Sequence, residues 1–371
     1  MVLFEKYLTE FLDGERKKYS MPGYDCSVYH HGQEIYRHMV GYADLETRQP
    51  ITRDTIYYVF SNTKVITCAA ALQLYERGKF LLEDNIERFF PELGKMKVKT
   101  KHGIKAAERF ITIRDLFCMT SGFGSGTISE EMGRQIYMEH GDCLRPIDMP
   151  KYLSQIPLEF EPGTQYLYGI SHELLAALIE KITGERFSEY LGNHKFKPLG
   201  MKNTGFYPEQ MESKERATLY RYKGPDEELV SYGLDSGIIP PLLKESASGG
   251  LITTVDDYML FQEALCKGEA VLRRSTIELM RLNHLNAEQR KGFSETNIGM
   301  GYGLGVRTII NQTECGSPTG FGPFGWSGAA GSYGSIDPEN ELSIYYVQHM
   351  LDTDMGRTHN ILRNIIYSFL A

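Results

Sequence analysis

Residues 59–80 read VFSNTKVITCAAALQLYERGKF, with a serine three residues before a lysine where a β-rich stretch becomes an apolar helix. The pattern predicts a helix that begins near Ser61 and ends at Arg77 and Gly78, since glycine commonly stops a helix. Positions i and i+3 share one helix face, so Ser61 and Lys64 are expected to point into the same space. Serine is a weak nucleophile and lysine is costly to bury, and placing them together would answer both difficulties.

The first turn of a helix suits this chemistry. Its backbone N–H groups are unpaired and the helix dipole favours negative charge there, as on an attacking oxygen or an oxyanion. The alternative interpretation is a capping serine beside a solvated lysine. Ser61 heads the only S-x-x-K in the chain, and a lone lysine is unusual in so apolar a helix. The residues alone leave both interpretations open.

Composition narrows the classes of function. The chain has 371 residues, of which 42% are hydrophobic and 24% charged, an ordinary globular balance. The formal net charge is −8 and long Lys/Arg runs are absent, so we expect no nucleic-acid partner. No apolar run approaches the roughly 20 residues of a spanning helix, and we expect no membrane partner. The first residues lack the features of a signal peptide, which predicts a cytoplasmic location.

The six cysteines are scattered and form no C-x-x-C pair. We therefore predict free thiols and neither a disulfide framework nor a metal site. They are Cys26, Cys68, Cys118, Cys143, Cys266 and Cys315.

Predicted strands lie at both ends of the chain and predicted helices fill its middle. Residues 25–44 are typical of a β-hairpin that turns at His31 and Gly32. The order predicts an α/β (α+β) fold in a single domain, residues 1–371. An α/β lobe would comprise residues 1–60 with 250–371, and a mostly helical lobe residues 61–249. The crevice between them is a usual place for a small-molecule site.

Competing hydrolase signatures are missing from the chain: it has no G-x-S-x-G elbow, Walker A loop or H-E-x-x-H. A G-x-G-x-x-G occurs as GFGPFG from Gly320 to Gly325, but it contains Pro323 and leads into a predicted strand. We therefore interpret it as a glycine-rich loop near a site and not as a dinucleotide-binding loop.

Seven stretches, which span almost the whole chain in order, resemble the serine β-lactamase and penicillin-binding-protein superfamily. The resemblance is strongest to the branch with class C β-lactamases, D-Ala-D-Ala carboxypeptidases and family VIII carboxylesterases. It implies a β-lactamase/transpeptidase-like fold, an antiparallel sheet flanked by helices from both termini, with a mostly helical insertion. The stretches are SNTKVITCAAALQLYERGKFLLEDNI, ITIRDLFCMTSGF, EPGTQYLYGISHELLAALIEKITGERFSEYL, PLGMKNTGF, SGGLITTVDDYMLF, GYGLGV and FGWSGAAGSYGSIDPENELSIYYVQ.

The resemblance implies roles for individual residues. Ser61 would be the nucleophile that is acylated, and Lys64 its base or proton shuttle. Tyr168, in YLYGIS, matches the second motif, where a tyrosine acts as general base or acid; taken alone it could be one of 24 tyrosines in a core. The oxyanion hole would be the backbone N–H groups of Ser61 and Ala329.

Two departures from the family pattern bear on the substrate. The third motif, Trp326-Ser327-Gly328, begins with tryptophan where lysine or histidine is usual. The second motif has Ile170 where asparagine is usual. Both changes replace polar recognition by apolar surface, and a site for a carboxylated lactam would lose discrimination. We include Ile170, Trp326, Ser327 and Gly328 among the predicted substrate-binding residues.

The sequence therefore predicts a serine hydrolase that acts through an acyl-enzyme on a small ester or amide with an apolar acyl group. This mechanism requires no metal or organic cofactor. Within hydrolases the alternative is a β-lactamase or D-amino-acid peptidase. Acyl transfer to an alcohol or amine shares the same intermediate, and a non-catalytic binding protein on this fold is the alternative from another class. The oligomeric state is left open.

Overall fold

The computed structural model describes residues 2–141, 144–232, 243–268, 270–295 and 297–370. The helices are α1 Val2–Lys18, α2 Thr63–Glu76, α3 Ile113–Phe117, α4 Glu130–His140, α5 Met149–Leu153, α6 Ser171–Thr183, α7 Phe187–Leu191, α8 Lys197–Leu199, α9 Val255–Lys267, α10 Arg274–Arg281, α11 Ala287–Ser294, α12 Gln312–Cys315 and α13 Met355–Leu370. The strands are β1 Gly23–His30, β2 Gln33–Asp44, β3 Gln49–Pro50, β4 Tyr57–Tyr58, β5 Lys97–Thr100, β6 Gly103–Ala106, β7 Leu219–Arg221, β8 Val230–Tyr232, β9 Ile252–Thr253, β10 Met300–Tyr302, β11 Arg307–Ile309, β12 Phe324–Ser327, β13 Tyr333–Asp337, β14 Leu342–Val347 and β15 Met350–Leu351.

The main sheet is antiparallel and takes its strands from both ends of the chain. Its order is β10-β11-β12-β13-β14-β1-β2-β3, so that β14 and β1 join the two ends at the centre of the sheet. Val28 pairs with Ile344 across this junction. The predicted α/β class and the sheet built from both termini are confirmed. The division into two lobes stays a prediction.

Helices cover both faces of the sheet centre, and the sequence of β14 shows why. All six of its residues are buried, as expected of a strand with apolar contacts on both sides. Ile344 and Tyr346 pack in a cluster with residues of α1 and α13. Tyr345 points the other way and stacks on Tyr258 of α9, with ring centroids 4.1 Å apart. Helix α1 therefore packs, together with α13, on one face of the sheet.

The predicted hairpin is confirmed. Strands β1 and β2 pair antiparallel, and His31 and Gly32 between them both have positive φ, at 52° and 72°. Two such residues form the turn whose twist matches that of paired strands, and the glycine adopts it without steric cost.

Among the described residues, Cys26, Cys68, Cys118, Cys266 and Cys315 are free thiols, as predicted. Cys143 lies outside the described residues. In the described ranges no helix combines the length and apolar character that crossing a bilayer requires.

Candidate active site

Ser61 lies in a strained turn between β4 and α2. Phe60 has φ of +46°, a left-handed conformation that is rare for a bulky residue and costs on the order of 1–3 kcal/mol. Phe60–Asn62 form a single 3-10 turn, and α2 begins at Thr63. The helix therefore begins two residues later than Ser61, near which the sequence predicted its start. The strain holds Ser61 at the junction, half-buried, instead of inside a regular first turn.

Buried polar contacts fix this turn against the sheet. The Asn62 amide donates to Ser332 Oγ over 2.9 Å, and Ser332 Oγ donates to the Val59 carbonyl over 3.1 Å. The Tyr258 hydroxyl donates to the Asn62 carbonyl over 3.0 Å. Because these groups are buried, each bond also avoids the cost of an unsatisfied polar atom.

Gly328 allows the end of β12 to approach the same turn. A Cβ at this position would lie 2.3 Å from both Ser332 Oγ and the Val59 carbonyl oxygen. Any other residue would force the third motif away from the serine turn. Ala329 follows directly and is exposed. The oxyanion hole formed by the Ser61 and Ala329 N–H groups stays a prediction.

Lys64 is buried beside Ser61. Its side chain is 3% exposed, and Nζ donates to the Ser248 carbonyl over 2.6 Å and to Ser61 Oγ over 3.3 Å. The ammonium also lies 4.7 Å from the ring centroid of Tyr168, within cation–π range. The structure thus brings the predicted nucleophile, lysine and tyrosine together around one ammonium group.

Trp326 takes a role that the sequence does not reveal. Its ring stacks on Tyr168 with centroids 5.4 Å apart, and its indole N–H donates to Tyr168 Oη over 3.0 Å. The tryptophan therefore presents a hydrogen-bond donor as well as an apolar wall. A polar donor at this position is also what the usual lysine or histidine would supply.

Further aromatic rings pack against Trp326. Tyr302 meets the Trp326 ring edge-on, with centroids 5.2 Å apart, and Phe293 stacks at 6.5 Å. Tyr166 contacts both Phe293 and Tyr302 at 5.2 and 5.3 Å. These contacts lock the orientation of Trp326 and give that side of the site an apolar character.

Two predicted substrate-binding residues are less directly placed. Ile170 precedes α6 and packs, partly buried, against the main core cluster. Ser327 alternates with Trp326 along β12, and its hydroxyl lies 3.5 Å from Arg307 Nη2 and 3.4 Å from His359 Nδ1. Those contacts lie towards α13. Substrate binding by these two residues stays a prediction.

Glu173 positions the loop that holds Lys64, and the sequence analysis missed it. Its buried carboxylate accepts from Ser246 Oγ at 2.7 Å, Ala247 N at 2.9 Å and Ser248 N at 3.0 Å. Burial raises the pKa of Glu173, and these hydrogen bonds oppose that shift. The Ser248 carbonyl accepts a hydrogen bond from Lys64. By fixing the 246–248 loop, the Glu173 carboxylate therefore also fixes the position of the Lys64 ammonium group. Its place two residues after Ser171 on α6 carries no sequence signal for this contact.

We expect Glu173→Gln to lower kcat about tenfold with little change in KM. One amide N–H₂ must then face a backbone or hydroxyl donor, which costs about 1–3 kcal/mol and loosens the 246–248 loop. Thermal unfolding and steady-state kinetics check this. The matched control is Glu185→Gln. Glu185 is partly exposed and contacts His194, so this change should leave kcat unchanged. A KM effect without a kcat effect would contradict the positioning role.

His172 is not a charged member of the site. It is buried, and burial followed by the charge of Lys64 lowers its pKa to about 3. Its Nε2 lies 3.3 Å from the Phe117 carbonyl. It is therefore neutral near pH 7. In the described part of the chain no three His, Cys, Asp or Glu side chains gather as metal ligands would.

Comparison with known protein families identifies the family of this chain. The beta-lactamase family model matches residues 4–366, nearly the whole chain. The chain belongs to the beta-lactamase family. The predicted resemblance is thereby confirmed, and the beta-lactamase fold with it. The family match, together with the similarity to an esterase, shows that the chain is a serine hydrolase of this fold.

Relatives within the beta-lactamase family cover most of the chain. Protein Rv1367c of Mycobacterium tuberculosis is 30% identical over 347 residues, 88% of this chain and 85% of the relative. Esterase EstB of Burkholderia gladioli is 25% identical over 368 residues, 92% and 89% of the two chains. The solved structure of EstCE1, a hydrolase with promiscuous acyltransferase activity, has a TM-score of 0.81 at 23% identity and covers 98% and 99%.

Proposed function

We propose that this beta-lactamase family member is a carboxylesterase that acts through an acyl-enzyme on small esters with an apolar acyl group. The observation that carries the proposal is the buried Lys64 ammonium group, 3.3 Å from Ser61 Oγ and 4.7 Å from the Tyr168 ring. A serine nucleophile needs a neighbour that takes its proton, and this cluster offers one. The likeness to Esterase EstB supports an ester as the substrate.

The proposed reaction has two halves. Within the Lys64–Tyr168 pair, Tyr168 Oη takes the proton of Ser61 Oγ, which attacks the ester carbonyl. The oxyanion accepts hydrogen bonds from the backbone N–H groups of Ser61 and Ala329. Collapse expels the alcohol, which takes the proton back, and leaves the acyl group on Ser61. Water then gives one proton to Tyr168 Oη and attacks the acyl carbonyl. The bond from the acyl carbon to Ser61 Oγ breaks, Ser61 Oγ takes the proton back, and the acid leaves. The Trp326 N–H and the Lys64 ammonium would stabilise negative charge on Tyr168 Oη during each proton transfer.

A groove with apolar and charged lining residues lies close in sequence to a segment that contacts Tyr168. Ser125 Oγ donates to the Tyr168 carbonyl over 3.2 Å, and three residues further the chain reaches Ile128 at the groove edge. The groove has a volume of about 650 Å³, within the usual range for ligand pockets. Its walls include Tyr137 and Met138, which are exposed. Glu130 and Arg134 also line the groove, and none of Ser61, Lys64 and Tyr168 does. The groove is therefore proposed only as a place for the far end of an apolar acyl chain, since burying a charged chain there would be costly.

The test is side-by-side hydrolysis of p-nitrophenyl acetate, butyrate and octanoate and a chromogenic cephalosporin. We expect turnover of the esters, highest for the longer chains, and little opening of the lactam ring. Fast lactam opening would favour the β-lactamase alternative. Adding a primary alcohol and measuring the new ester separates hydrolysis from acyl transfer.

We expect Trp326→His to shift selectivity towards carboxylated substrates. The imidazole would replace apolar surface by a polar group near the reacting carbonyl. One added hydrogen bond is worth about 1 kcal/mol, or roughly fivefold in the kcat/KM ratio of carboxylated to neutral esters. Trp326→Phe, which keeps a ring and loses the donor, should lower kcat without this shift. An unchanged ratio in Trp326→His would refute our account of the third motif.

A further inference from the structure

Strands β10, β11, β12 and β13 and helix α13 line a small, partly open cavity of about 20 Å³. None of the predicted catalytic residues lines it. Two arginines do: Arg307, at the start of β11, and Arg363, in the middle of α13. Arg363 is 3% exposed, whereas Arg307 is only partly buried.

The hydrogen bonds of the two guanidinium groups are incomplete. Arg363 Nε donates to Ser317 Oγ over 3.1 Å and its Nη2 lies 3.7 Å from Cys315 Sγ. Arg307 Nη2 lies 3.5 Å from Ser327 Oγ. Each guanidinium has several more N–H donors than these contacts use. All the partners are neutral groups or a sulfur atom.

Neither arginine has a counter-charge within the described residues, where no Asp or Glu oxygen lies within 4.0 Å of either group. Asp337 is buried on the neighbouring strand, but it accepts from Tyr367 at 2.7 Å and from Asn340 at 2.8 Å. Burial lowers the pKa of Arg307, and the charge of Arg363 acts in the same direction. Burial and then Arg307 lower the pKa of His359 to about 3, so this neighbour is neutral.

We propose that the cavity binds one small monovalent anion of halide size, held by Arg307 and Arg363. An arginine stays charged in a protein, and a buried charge without a partner is strongly unfavourable. The volume admits one water-sized ion, since a single water needs about 10–15 Å³. Chloride meets both the charge and the size requirement.

The anion would act on the wall of the candidate active site. The Arg307 guanidinium lies 5.8 Å from the Trp326 ring centroid and 5.9 Å from that of Tyr333. Arg307 therefore belongs to the cavity and also contacts the tryptophan that bonds Tyr168. Occupancy would hold Arg307 in place and, through it, the end of β12.

The tryptophan makes the site measurable because it is the only one in the chain. Bromide and iodide quench indole fluorescence on close approach, whereas chloride quenches it little. The test is a titration of the full chain in which sodium bromide replaces sodium gluconate, so that the ionic strength stays constant. We expect a saturable quenching component that chloride displaces and that is lost in Arg363→Gln. Arg357→Gln, an exposed arginine on the same helix, is the matched control and should keep it.

A second measurement does not depend on a variant that folds. Replacing gluconate by chloride should raise the Tm of the wild-type chain by about 2 °C, because an anion that binds only the folded state stabilises it. Purely linear quenching that chloride does not displace, with an unchanged Tm, would mean that the cavity holds water alone and would overturn the proposal.

Discussion

Ser61→Ala is expected to abolish ester hydrolysis, with kcat reduced by more than about a thousandfold. Removing the nucleophile of a serine enzyme leaves only what binding and an oxyanion hole contribute. The lost group is a half-buried hydroxyl that accepts a hydrogen bond from Lys64 Nζ over 3.3 Å. The fold should therefore survive, and Tm should change by no more than a degree or two.

The measurement combines initial rates on p-nitrophenyl butyrate with intact mass after mixing. The wild type should gain the mass of one butyryl group, and Ser61→Ala should gain none. Ser154→Ala is the control, because its hydroxyl only donates to the Lys151 carbonyl. A Ser61→Ala variant that keeps a tenth of the wild-type rate would eliminate the acyl-enzyme proposal.

Lys64→Met is expected to cost as much activity as the serine change while leaving the fold intact. Methionine fills similar space in an apolar helix, but it cannot donate to Ser61 Oγ or carry the charge beside Tyr168. The Ser248 carbonyl also loses its 2.6 Å partner, which costs about 1–3 kcal/mol. We therefore expect a lower Tm together with a fall in kcat of about a thousandfold.

A second buried lysine provides the control for this variant. Lys195 is 1% exposed, and its Nζ lies 3.4 Å from the Ala69 carbonyl of the same helix α2. Burial lowers its pKa well below the ordinary value. Lys195→Met should keep full activity and equal or higher stability, since burying a charge is costly. Equal loss of activity in both variants would mean that a buried lysine supports only the fold.

The sequence predicted those parts of the site that depend on local spacing or on the family pattern. Ser61 and Lys64 are three residues apart, and Lys64 indeed donates to Ser61 Oγ. The hairpin turn at His31 and Gly32 follows from what a two-residue turn requires of its backbone. The antiparallel sheet from both termini followed from strands at the two ends and from the resemblance.

Contacts between distant segments were beyond prediction. Trp326 and Tyr168 are 158 residues apart, and only their bond reveals that the tryptophan supplies a donor. Glu173 lies 75 residues before Ser248 on an ordinary helix. The left-handed Phe60 is imposed by the elements around it, since no local rule favours that conformation for phenylalanine.

The sequence by itself determined the serine–lysine pair through a short spacing. It determined the family through seven stretches that resemble it, and the sheet from both chain ends through this resemblance and the order of the predicted strands. Only the tertiary structure decided which groups surround that pair and how the rings orient. It also decided that Arg307 and Arg363 line one cavity, whose lining among the described residues contains no Asp or Glu. The physical reason is that such juxtapositions depend on packing across the whole sheet, where residues far apart in the chain meet and leave no common signal in the sequence.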